Sequence, residues 1–395
     1  MANPETRRPF LPGTRRLTVQ YAERMTYPVS KLHALLPRAG AWGLALLLTG
    51  CATVPGQQES WPSPTQVRAE IVRHMPTSVP DRTGWATDIQ TAFDAQQINP
   101  NLENICAVLA VTAQESGYQA NPSIPNLPGI ARKEINRRAT AHHIPSLLVD
   151  AALQIHSPDG RSYSERLQHA HTERELSSIY EDLIASVPLG KRLFADFNPV
   201  QTGGPMQVNI EFAEARAVDY PYPIAGSVRD EVFTRRGGTY FGIAHLLGYP
   251  TPYTRKIYRF ADYNAGQYAS RNAAFQSATG IATGIPLALD GDLLTPDASP
   301  DQPGETERAL RTLGNSLGLS DRAIRKTLQS SNRLDFDDTV LYVRIYALAE
   351  ARAGKHLPRA VLPGIELDSP KITRKLTTAW FAERVNARYQ QCMQQ

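Results

Sequence analysis

A single glutamate at the end of an apolar helix offers the clearest acid–base chemistry in the chain. Residues 101–118, NLENICAVLAVTAQESGY, predict a helix, because Asn101 can cap its start and a glycine follows its last turn. Residues 105–113 are apolar or small on every side, so we expect this helix to be buried. Glu115 follows Val111 by four residues and shares its face. A carboxyl deprived of water there would hold its proton more tightly, as a general acid requires, whereas a glutamate facing solvent is the plainer alternative.

Three short motifs supply polar and aromatic side chains that could surround this carboxyl. In chain order they are ESGY at 115–118, GPMQ at 204–207 and ADYNAG at 261–266. The second motif follows a Gly-Gly-Pro turn, which predicts a helix to about residue 220 with Met206 and Gln207 in its first turns. The third motif lies at a bend between two helical stretches.

The order of these motifs resembles the soluble lytic transglycosylases of the lysozyme superfamily, whose motifs run ES, GLMQ and AYNAG. The resemblance implies a mainly α, lysozyme-like domain that cleaves the β-1,4 bond between N-acetylmuramic acid and N-acetylglucosamine in peptidoglycan, without a cofactor. Carried over by position, Glu115 would be the catalytic acid and base. The positions implied to support it or to bind the sugar are Ser116, Tyr118, Met206, Gln207, Tyr240, Tyr263 and Asn264. The tyrosines could equally be ordinary core aromatics.

One carboxyl suffices for the implied reaction. Protonated, it donates to the leaving glycosidic oxygen; ionised, it takes the proton of the muramic acid C6 hydroxyl, which closes a 1,6-anhydro ring. A hydrolytic glycosidase instead divides the work between two carboxyls. Asp262 could be the second acid of a muramidase-type hydrolase, although a surface or helix-capping role is the simpler interpretation. A lysozyme-fold protein that binds glycan or a protein partner without cleavage is the rival from another class.

The stretch between Glu115 and Gln207 is far longer than the loop typical of that family, and it predicts a helical insertion at about 129–197. Its histidines show no metal-binding spacing, so surface or capping roles are expected; they are His142, His143, His156, His169 and His171. His245 is predicted to be a core histidine. The GNSLG sequence at 314–318 follows a helix and not a strand, which argues against a nucleophile elbow.

The N-terminus has the layout of a bacterial lipoprotein leader, predicted at 1–50. An apolar run at 39–48 is too short to span a bilayer and follows basic residues. The LTGC sequence that ends at Cys51 resembles a lipobox, which implies cleavage before Cys51, a diacylglycerol on its sulfur and acylation of its new amino group. Ala52 favours the outer membrane, with the protein facing the periplasm on a tether at 51–64. The true start could be Met25.

Charge gives no support to nucleic-acid binding. The chain has 42 basic and 38 acidic residues, and residues 1–50 hold seven and two of them. Taking these away leaves 35 basic and 36 acidic residues, a net charge of about −1, so the basic character belongs to the leader. The partners implied are peptidoglycan strands, the membrane through Cys51, and an envelope protein.

The remaining predictions concern domain organisation. We expect a lysozyme-like domain at 65–278 and, at 279–395, a short β-hairpin around Asp290-Gly291 followed by helices packed on that domain. Cys106 and Cys392 could form a disulfide in an oxidising compartment, or Cys106 could be a small buried apolar residue. The whole-chain pattern also resembles an uncharacterised family of proteobacterial outer-membrane lipoproteins, the YaiW-like lipoproteins. That resemblance implies a localisation but no reaction.

Overall fold

Helices dominate the chain, as its apolar periodicity predicts. The computed structural model describes residues 61–186, 198–295, 298–367 and 375–395. The first three helices are α1 (Pro64–His74), α2 (Arg82–Ala95) and α3 (Leu102–Glu115). The α3 helix begins as predicted, because the Asn101 side chain accepts a hydrogen bond from the Asn104 amide at 2.9 Å. Every residue from 105 to 112 is buried, so α3 forms the centre of a core and ends at Glu115.

A block of four helices follows and matches the periodic segments predicted for it. These helices are α4 (Leu127–Ala141), α5 (Ser146–Leu153), α6 (Tyr163–Gln168) and α7 (Glu173–Ser186). We call them the insertion block. Their buried apolar residues, except Ile184, belong to the same hydrophobic cluster as α3. The insertion block therefore has no core separate from that of α3.

The structure contains a β-hairpin at a different position from the predicted one. Two short antiparallel strands, β1 (Thr202–Gly203) and β2 (Val208–Asn209), enclose the 204–207 motif. The prediction of a helix that starts at this motif was wrong, since Gly204 and Gln207 have φ of +72° and +50° and cannot continue a right-handed helix. Helix α8 (Ile210–Ala215) starts only after the hairpin, and a 3₁₀ turn (Ala217–Asp219) follows it.

The hairpin predicted around Asp290-Gly291 is absent from the described residues 279–295. A helix continues there to Thr283, and in place of a paired strand the side chain of Gln276 on that helix bonds to residues 290 and 291. Its amide nitrogen donates to the Asp290 carboxylate at 2.6 Å, and its oxygen accepts from the Gly291 amide at 2.8 Å. Asp290 and Gly291 form a bend that the side chain of a helical residue holds in place.

The remaining helices divide between two cores. α9 (Val228–Val232), α10 (Arg235–Leu247) and α11 (Lys256–Ala265) join α3 in the first core. A second cluster is formed by what we call the C-terminal block: α12 (Ala269–Thr283), α13 (Glu305–Thr312), α14 (Gly314–Leu317), α15 (Asp321–Leu328), a 3₁₀ turn (Leu334–Asp338) and α16 (Val340–Ala353).

The last helix, α17 (Thr378–Met393), returns to the first core and packs on α3 and α11. Cys106 of α3 and Cys392 of α17 form a disulfide with their Cα atoms 5.6 Å apart. No helix among the described residues is long and apolar enough to cross a membrane. The predicted leader, Cys51 and most of the tether lie outside the described residues.

Candidate functional site

Glu115 occupies the last position of α3 and is half-buried. The helix stops immediately after it, because Gly117 adopts a φ of +59° and Ser116 caps the end. The Ser116 hydroxyl donates to the Thr112 carbonyl and accepts from the Gln119 amide, both at 3.2 Å. The buried Ser116 thus holds the backbone directly after Glu115.

The 204–207 turn lies directly on α10, where glycines make room for it. A Cβ atom on Gly238 would lie 2.4 Å from Cδ of Pro205, and one on Gly242 would lie 2.6 Å from Sδ of Met206. Neither distance is sterically allowed, so only glycine permits this approach. Met206 is completely buried as a result. It fixes the turn and presents its backbone, not its side chain, to the site.

Tyr263 joins the turn to the carboxyl. Its hydroxyl donates to the Met206 carbonyl at 2.6 Å, so the α11 motif and the hairpin motif touch. Burial raises the pKa of Tyr263 well above its usual value, and the negative charge of Glu115 raises it further. The phenol therefore stays protonated, and its single proton is already engaged in the hydrogen bond to the Met206 carbonyl. Tyr263 holds the turn beside Glu115.

Gln207 has a partner that the sequence did not suggest. Its side-chain nitrogen donates to a Glu173 oxygen at 2.9 Å and to the Gly204 carbonyl at 3.3 Å. Glu173 is the first residue of α7 and only 6% exposed. An acidic residue in a first helical turn is usually explained by the helix dipole, so no signal distinguished this one. The insertion block thus reaches the 204–207 turn.

Three predicted sugar-binding residues bond to other parts of the fold. The hydroxyl of Tyr118 donates to the Leu109 carbonyl at 3.0 Å, and that of Tyr240 donates to the Asp219 carbonyl at 2.7 Å. Both rings are buried in the first core, so the plainer interpretation as core aromatics fits them better than stacking on sugars. Asn264 is exposed, and its side-chain oxygen accepts a hydrogen bond from Thr378 of α17 at 2.8 Å.

The family model described as "Protein of unknown function (DUF1615)" matches residues 78–395. The chain belongs to the DUF1615 family. The "Uncharacterized protein YaiW" of Escherichia coli (strain K12) is 53% identical over 351 residues, which cover 89% of this chain and 96% of that protein. No solved structure matches the chain. All three motifs and α17 lie within the DUF1615 match.

Asp262 is a capping residue in this DUF1615 protein. Its fully buried carboxylate accepts hydrogen bonds from the hydroxyls of Tyr249 and Tyr253 and from the amides of Tyr268 and Ser270, at 2.7 to 3.1 Å. Burial nevertheless raises its pKa. These bonds order the turn that starts α12. A carboxylate so enclosed is unsuited to serve as a second acid on a glycan.

His245 is partly buried and lies next to Tyr263. Its Nε2 is 3.1 Å from the Tyr263 carbonyl, and its ring packs edge-on against Phe212 and Tyr263. Burial lowers its pKa, so the ring is neutral at pH 7 and Nε2–H donates to that carbonyl. Among the described residues, no group of three or more His, Cys, Asp or Glu could hold a metal ion.

Proposed function

We propose that this DUF1615 protein cleaves peptidoglycan as a murein lytic transglycosylase, with Glu115 as its single acid and base. The observation that carries the proposal is the meeting of three motifs that are far apart in sequence. Tyr263 donates to Met206 in the 204–207 turn, and the charge of Glu115 acts on the same phenol. A half-buried carboxyl at a helix end, beside a rigid turn, has the features of a general acid.

The proposed reaction uses the carboxyl twice. Protonated Glu115 donates its proton to the glycosidic oxygen while the bond from that oxygen to C1 of N-acetylmuramic acid breaks. The C6 hydroxyl of the same sugar then bonds to C1, and its proton passes to Glu115. The 1,6-anhydro product forms without water, and the carboxyl returns to its initial protonation state. No second carboxylate is needed.

The other residues position the substrate in this proposal. Gln207, the one partly exposed residue of the 204–207 turn, would border the glycan as the hydrogen-bonding side chain. Its φ of +50° and its bond to Glu173 fix the direction of its amide. Lipid attachment at Cys51 would hold the enzyme on the outer membrane with the site facing the periplasmic cell wall.

A second candidate function is glycan or partner binding without cleavage. The burial of Tyr118 and Tyr240 favours a protein partner over a glycan, because it removes two aromatic rings from the surface that could stack on a sugar chain. The amide of Gln207 is also occupied by Glu173. A muramidase-type hydrolase is the third alternative.

Digestion of purified sacculi separates the three. We would compare protein lacking residues 1–51 with its Glu115→Gln variant and with Glu383→Gln, a matched change at an exposed glutamate of α17. Loss of the acid is expected to lower turnover by roughly 10²–10⁴-fold, whereas Glu383→Gln leaves it unchanged. Mass spectrometry of the released muropeptides identifies their ends and so distinguishes the mechanisms. Anhydro ends support the proposal, reducing ends indicate hydrolysis, and bound glycan with no product from any variant leaves only the binding role.

A further inference from the structure

A polar cavity of about 420 Å³ opens at the ends of α3 and α11 opposite to Glu115 and Tyr263. Glu103 in the first turn of α3 and Arg255, Lys256 and Arg259 at the start of α11 line it. At 1.5 Å per residue, α3 separates this cavity from Glu115 by about 20 Å. It is thus distinct from the candidate catalytic site.

The charges around the cavity do not balance. Lys256 lies 3.5 Å from the carboxylate of Glu103 and also donates to Asn104 at 2.9 Å. The Arg259 guanidinium donates to the carbonyls of Leu246 and Tyr249, at 3.1 and 3.0 Å. Within the described residues neither Arg255 nor Arg259 forms an ion pair. Three cations therefore line the cavity with one carboxylate, which leaves two positive charges that no carboxylate of the lining neutralises.

The walls of the cavity are fixed before any ligand arrives. Asn386 and Gln390 of α17 form the side opposite α11 and offer amide groups for hydrogen bonding. The disulfide joins Cys106, three residues after Glu103, to Cys392, two residues after Gln390. Carbonyl bonds hold the Arg259 head in place as well. A preorganised site loses less conformational freedom when it binds.

We propose that this cavity binds a carboxylate group of the peptidoglycan, as a second substrate site remote from Glu115. The inference rests on the proposed function for the identity of its ligand. Muramic acid carries a lactyl group that continues into a stem peptide with free carboxylates. Arg255 and Lys256 would pair with such a carboxylate, while Asn386 and Gln390 would bond to neighbouring amides. The cavity would then hold one part of the wall while the catalytic site acts on another.

Calorimetric titration of the full-length protein in detergent tests the site. The Glu115→Gln background keeps the substrate intact, and the probes are a muropeptide with free stem carboxylates, neutral chitotetraose, acetate and inorganic phosphate. Arg255→Glu changes an exposed side chain, and Arg384→Glu, exposed on α17, is its matched control. Arg255→Glu is expected to weaken muropeptide binding roughly tenfold and leave chitotetraose binding unchanged. Arg384→Glu should change neither.

Equal muropeptide affinity in the Arg255→Glu and Arg384→Glu proteins would overturn the proposal. The proposal would also be overturned if phosphate displaced the muropeptide at a lower concentration than acetate does. The cavity would then prefer phosphate to a carboxylate. Sacculus digestion by the Glu115 chain is measured separately. If digestion fails while Arg255→Glu still weakens muropeptide binding, the cavity stands and the catalytic proposal falls.

Discussion

The insertion block and the C-terminal block both interrupt one core, and they bury their charges differently. The insertion block separates α3 from the hairpin, and the C-terminal block separates α11 from α17. In the C-terminal block the fully buried Glu307 pairs with Arg311 and Arg325 at 2.6 and 2.7 Å, all within that block. In the insertion block the buried Glu173 is directed outward, to Gln207 of the hairpin.

This difference indicates that the two blocks have different roles in the molecule. Buried charges that are paired within one block serve its own packing, and the C-terminal block has a hydrophobic cluster of its own. A buried carboxylate that crosses to another element constrains that element instead. We infer that the C-terminal block supports the fold, whereas the insertion block acts on the candidate site.

The largest expected effect is on stability, in the C-terminal block. Glu307→Gln removes the charge that neutralises two arginines, and breaking a buried ion pair costs about 3–5 kcal/mol of unfolding free energy. Denaturant unfolding measures the loss. Glu305→Gln, an exposed change in the first turn of the same helix, should shift it by less than about 0.5 kcal/mol. Activity of the folded Glu307→Gln protein should be normal, and a selective loss of activity would erase the distinction between the blocks.

The second effect is on the candidate activity, in the insertion block. Glu173→Ala releases the Gln207 side chain, and loss of a hydrogen bond to a charged group corresponds to roughly a 10- to 100-fold fall in kcat/KM on sacculi. Glu173→Gln retains an accepting oxygen and should recover part of the loss. Arg174→Ala, at the exposed neighbouring position, is the control. A Glu173→Ala protein that is less stable but fully active would make Glu173 a packing residue.

The smallest expected effect is a contrast in pH response. Bonds from Arg137 and Arg138 lower the pKa of Glu134 to about 2, so its stabilising contribution to the insertion block is lost as pH falls from about 4.5 towards 2. Burial raises the pKa of Asp337 in the C-terminal block. Its contribution has the opposite sign, being present below pH 3.8 and lost as pH rises through the raised pKa.

Hydrogen exchange at successive pH values checks this contrast. On acidification from pH 6 to pH 3, protection should fall in α4 before it falls in α16, and Glu134→Gln should flatten the response of α4. Parallel loss in both blocks would show that these two carboxylates do not govern their acid stability.

Local patterns in the sequence predicted the helices well. The caps and apolar run of α3 located it and placed Glu115 at its end, and the four insertion helices lie close to their periodic segments. The hairpin at 202–209 was missed because Gln207 adopts a left-handed conformation that glutamine seldom takes. The Glu173 contact joins positions 34 residues apart, and no local pattern encodes it. Burial of Tyr118 and Tyr240 depends on tertiary packing, which residue type alone does not decide.

The disulfide joins residues separated by 286 positions, so it can form only after α17 has been synthesised. A chain made from its N-terminus releases α3 early, with a buried stretch at 105–112 whose partner, α17, follows all the other described helices. The first core therefore stays incomplete until α17 has been synthesised. A stop codon after the C-terminal block would leave the candidate site without the helix that closes its core. Residues 378–393 are far from Glu115 in sequence, yet they complete the core on which the candidate site rests.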